Sequence, residues 1–68
     1  MTEAQIITLG YRYERANGER AQALRFSFDV ELKQLASPEL RAEYIHLFNQ
    51  GRHEARMQVG RQEIRGAR

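Results

Sequence analysis

Leu24, Phe26, Phe28, Val30 and Leu32 are five large apolar residues at strict period two, separated by Arg25, Ser27, Asp29 and Glu31. Successive side chains of a β-strand point to opposite faces, so this alternation predicts a strand with one buried face and one wetted face. Ile7, Leu9, Tyr11 and Tyr13 repeat the pattern upstream, and Asn17-Gly18 lies between the two runs. Asn-Gly in that position is a strong hairpin signal, because both residues tolerate positive φ. A loop at Asn17-Gly18 sets Tyr11 opposite Leu24, and a loop at Gly18-Glu19 sets Tyr13 there. Either register keeps the large apolar residues on one face, since only an odd slip changes faces. A competing reading runs residues 4–17 as a helix stopped by Gly18, with Ile6, Gly10, Tyr13 and Asn17 as its stripe. It scatters the four residues that alternation collects, so the strand is preferred.

The second half opens on Ser37-Pro38-Glu39-Leu40. Ser is a favoured N-cap, Pro suits the first helical position, and an acid in the first turn complements the dipole. At about 100° per residue, Leu40, Tyr44, Leu47, Phe48, Gly51 and Ala55 share one face. The spacing predicts a helix over about residues 38–57, followed by a flexible Arg-rich tail over 61–68. The fold expected is α+β, a ββα unit in one domain over residues 1–60, with strands at about 5–15 and 20–32. Gly51, inside the apolar stripe, predicts either close approach of another backbone or a bend or end of the helix.

Sixty-eight residues make one small domain near the lower limit for independent folding. Cysteine is absent, which excludes disulfides and fits a cytoplasmic protein. No apolar stretch approaches the roughly 20 residues that span a bilayer, and the N-terminus lacks the features of a signal peptide. A two-stranded sheet has two open edges and is marginal alone. The expectation is therefore a homodimer joined through the hairpins into a four-stranded antiparallel sheet.

Catalytic, metal and cofactor signatures are missing. His46 and His53 lie seven residues apart, roughly 10 Å along a helix, too far to chelate one metal. Ser27 and Ser37 are the only serines, Ser37 is accounted for as a cap, and no nucleophile elbow, P-loop or dinucleotide fingerprint occurs. These observations predict a protein that is not an enzyme and holds no cofactor.

Charge is uneven. Residues 1–50 carry six basic residues against seven acids, and residues 51–68 carry five against two. Nearly all the basic residues are Arg, which suits bidentate contacts to phosphate or carboxylate, although a GC-rich coding sequence favours Arg without any functional reason. Arg41, Arg52 and Arg56 cluster beside the apolar stripe of the predicted helix, and Arg61 and Arg65 extend them. Ile45 is the one large apolar residue of that helix which the stripe does not claim. These six residues form the expected partner-binding surface. The segment Phe48-Asn49-Gln50-Gly51-Arg52-His53-Glu54-Ala55 resembles the aromatic–Gly–Arg–Glu–Ala helices of small ribosome-associated stationary-phase proteins. It covers eight residues, and the alternating first half departs from that all-helical pattern. The function expected is a small protein-binding module that modulates or inhibits a larger protein; the alternative is a nucleic-acid-binding protein using the basic helix flank and tail.

Overall fold

The computed structural model describes residues 1–66, with side chains through Gln58. It consists of three helices: α1 (Glu3–Arg15), α2 (Gly18–Gln34) and α3 (Pro38–Gly66). No strand occurs among the described residues. The ββα unit, its strands over 5–15 and 20–32, and a four-stranded sheet built from two hairpins are therefore corrected to an all-helical fold.

The physical reason lies in the period-two run itself. Two residues turn a helix through roughly 200°, so alternation on a helix fills two nearly opposite faces. Leu24, Phe28 and Leu32 stack at spacing four on one face, and Phe26 and Val30 do so on the other. Phe28 is 1% exposed and Phe26 is 70% exposed, so only the first face is buried. In α1 the stripe of the competing helical reading is the one that packs: Ile6 and Gly10 are buried and Tyr13 lies against the core. Asn17-Gly18 does reverse the chain, and Gly18 takes φ +57°, but it joins two helices rather than two strands.

Local chemistry supports the starts of α1 and α3. Thr2 and Gln5 form a capping box, the Thr2 backbone N–H donating to Gln5 Oε1 at 2.8 Å and the Gln5 N–H to Thr2 Oγ1 at 3.2 Å. Ser37 caps α3 by accepting from the Leu40 N–H at 3.3 Å, with Pro38 at the first helical position. The helix then continues to Gly66 instead of stopping near Met57.

α1 and α3 run parallel. The Tyr44 hydroxyl donates to the Met1 carbonyl at one end, and the Tyr11 hydroxyl donates to Gln58 at the other. Two glycines permit this packing: a Cβ at Gly10 would collide with the Phe48 carbonyl, and one at Gly51 with the Ile7 carbonyl. Gly51 is thus explained by the approach of α1's backbone, and the helix continues through it.

α2 returns antiparallel and is held mainly by α1. The Phe28 ring stacks on Phe48 with centroids 4.2 Å apart, and Tyr13 meets Phe48 at 5.4 Å. Ile6, Leu47 and Ala55 complete the buried core. The molecule is elongated, 50 × 24 × 15 Å, because α3 is far longer than its neighbours.

Candidate functional site

Three of the residues expected to bind a partner make contacts within the fold. The Arg41 Nε–H donates to the Leu35 carbonyl at 3.0 Å, tying the α2–α3 link to α3. Arg52 and Arg56 both donate from Nε to Glu14 Oε1, at 3.0 and 2.9 Å, and so tie α3 to α1. Arg52 also lies over the Tyr13 ring, 5.2 Å from its centroid. Ile45 is 44% exposed on α3. Arg61 and Arg65 fall on the last turns of α3, where the side chains lie outside the described residues.

The fold assembles a different arginine cluster. Arg12 and Arg15 sit in the last turn of α1, and Arg20 in the first turn of α2, brought together by the short Ala16-Asn17 link. With Tyr11, Ala16 and Leu24 they line a groove of about 460 Å³. Among the described residues, none of the three forms an ion pair with a carboxylate; the pairs present are Arg25–Asp29 and the two on Glu14. Arg15 is positioned by Tyr11, donating to its hydroxyl at 3.1 Å with its guanidinium 5.7 Å from the ring centroid. The N-terminus of α2 opens beside the groove, where Asn17 makes no side-chain cap hydrogen bond, so the dipole adds positive potential there.

A larger hollow of about 550 Å³ shares Arg12 but runs along α1 toward Thr8, Met1 and Glu31. It carries a single arginine and an acid, so the cationic chemistry belongs to the smaller groove.

Placement in the fold also sorts the charges along the molecule. Because α1 and α3 are parallel, the α1–α2 turn and the last turns of α3 lie toward the same end. Residues 9–25 and 52–66 hold eight of the eleven basic residues and four of the nine acids. The remaining described residues, 1–8 and 26–51, hold Glu3, Asp29, Glu31, Glu39 and Glu43 against Lys33 and Arg41. One end is basic and the other acidic.

Neither histidine belongs to a ligand cluster: no group of three or more His, Cys, Asp or Glu that could hold a metal occurs among the described residues. Among those residues, no helix is long and apolar enough to cross a membrane. Sequence reasoning places Arg12 on the polar face of a strand and does not single out Arg15 or Arg20. The signal is present as arginines three apart and a third just past Asn17-Gly18, but it needs a helix–turn–helix to become a cluster. No protein-family model, curated protein or solved structure matches this chain.

Proposed function

We propose that this protein is a small non-enzymatic binding module that engages the phosphate backbone of a nucleic acid through its basic end. The observation that carries the reading is the groove of Arg12, Arg15 and Arg20, which concentrates three guanidinium groups with no carboxylate partner among the described residues. Arginine presents several donors in a planar fork suited to phosphate oxygens. At the same end α3 adds the two guanidinium groups of Arg52 and Arg56 against the single Glu14 carboxylate. Such an extended track matches a polyanion better than a single small anion.

The test is fluorescence anisotropy with single- and double-stranded RNA and DNA oligonucleotides at about 50–200 mM salt. The wild-type protein is expected to bind with steep salt dependence. Arg12→Glu/Arg15→Glu/Arg20→Glu is expected to lose at least about tenfold in affinity and to flatten the salt slope by roughly 0.7–0.9 for each phosphate no longer neutralised. Ala42→Glu, exposed on α3 at the acidic end and outside the groove, is expected to bind nearly as wild type. Absence of salt-dependent binding by the wild-type protein would overturn the proposal. A lysate pull-down with nuclease then addresses the protein-partner reading. One acidic protein that survives digestion, and is absent with the triple variant, would replace nucleic acid by a protein that this module modulates.

A further inference from the structure

α2 has a second face that nothing among the described residues covers. Glu19, Ala23, Phe26, Val30 and Lys33 are all exposed, and their spacing of four, three, four and three is that of a heptad seam. At 100° per residue they fall within an arc of roughly 80°. Phe26, 70% exposed, and Val30, 37% exposed, occupy its centre. Arg20 and Leu24 of the groove lie roughly 100–140° away around the helix, so the seam and the basic groove are separate surfaces.

The chemistry of this seam is ordered along its length: acid at the N-terminal end, apolar in the middle, base at the C-terminal end. We infer that it takes a second copy of this chain, with the two α2 helices packed antiparallel. A seam with this order is complementary to itself when reversed. Phe26 meets Val30 of the second copy, and Lys33 lies over its Ala23, within reach of its Glu19. In a parallel pair Glu19 would oppose Glu19, and Lys33 would oppose Lys33, which is repulsive. The charge of the whole molecule selects the same arrangement. Its basic end lies at the start of α2 and its acidic end near the close of α2, so reversal sets each basic end beside the acidic end of the other copy. A symmetric pair of this kind is closed and stops at two.

Sedimentation equilibrium from about 10 μM to 1 mM tests the assignment. The wild-type chain is expected to show a monomer–dimer equilibrium in that range. Phe26→Glu and Val30→Glu are each expected to weaken dimerisation at least about tenfold. Their helical circular dichroism should stay unchanged, because neither side chain belongs to the buried core. Glu19→Lys or Lys33→Glu alone should weaken the dimer, and the two together should restore it. The chain has no cysteine, so introduced thiols report geometry directly. A mixture of Ala23→Cys and Lys33→Cys chains should cross-link with each other, whereas Ala23→Cys alone should not. A wild-type monomer throughout the range, a dimer indifferent to Phe26→Glu, or cross-linking of Ala23→Cys alone would overturn the proposal.

Discussion

Gly10 and Gly51 stand where α1 and α3 come closest, each against the other helix's backbone. Alanine at an exposed helical position normally improves on glycine by about 1 kcal/mol. Here the added methyl has a carbonyl in its way, Phe48 for Gly10 and Ile7 for Gly51, and backbone cannot rotate aside as a side chain can. Gly10→Ala and Gly51→Ala are therefore expected to destabilise the protein by about 1–3 kcal/mol. Gly18 offers a contrast, because no atom lies near its missing Cβ and only its φ of +57° requires glycine-like freedom. Gly18→Asn should cost little, since Asn tolerates the left-handed region. Thermal unfolding followed by circular dichroism separates the two cases: midpoints well below wild type for the Gly10 and Gly51 variants, and close to wild type for Gly18→Asn.

Each helix rests on different local chemistry, and α3 is the legible one. Ser37, Pro38 and Glu39 are a start signal that survives any reading of the first half, and the structure uses all three. Ser37→Ala is expected to cost about 1 kcal/mol, read as a lower unfolding midpoint. The Glu39 carboxyl is held below its usual range by its own backbone N–H first and by the Ser37 hydroxyl, at 2.8 Å, second. A carboxyl with a depressed folded pKa stabilises above its unfolded value, and that contribution is lost as pH falls through the folded value. Wild type and Glu39→Gln should therefore differ in stability near neutral pH and converge on acidification below about pH 4.5, the ordinary carboxyl value. α1 and α2 are easily misread because period two on a helix serves two faces, and one of α2's faces is left uncovered. Thr2 and Gln5, spaced as a capping box just before Ile6, are the local evidence for a helix. The residues between the apolar positions of α2 point the same way, since Arg, Asp and Glu are less at home in strands than Thr or Val. The arginine groove is hidden for a related reason. Arg12, Arg15 and Arg20 are visible in the sequence, but only a tight reversal between two helices brings them to one surface.

At the scale of the molecule, Glu14 joins the fold to the proposed function. Its Oε1 accepts from both Arg52 and Arg56, which fastens α1 to α3 and also neutralises charge at the basic end. Stability and polyanion binding therefore make opposite demands on this carboxylate. Arg56 is 60% exposed and Arg52 29%, so solvent screens much of the attraction, and removing the acid should cost only about 1 kcal/mol. The same change raises the net charge of that end by one and releases two guanidinium groups there. Glu14→Gln is accordingly expected to lower the unfolding midpoint while tightening nucleic-acid binding and steepening its salt dependence, by up to about 0.9 in slope for each further phosphate neutralised. A purely structural role for the Glu14 pairs predicts lower stability with unchanged or weaker binding. Anisotropy titrations of Glu14→Gln at two salt concentrations, performed well below its unfolding midpoint, distinguish these outcomes. Opposite signs for stability and affinity would place Arg52 and Arg56 among the residues available to the polyanion once the carboxylate is gone.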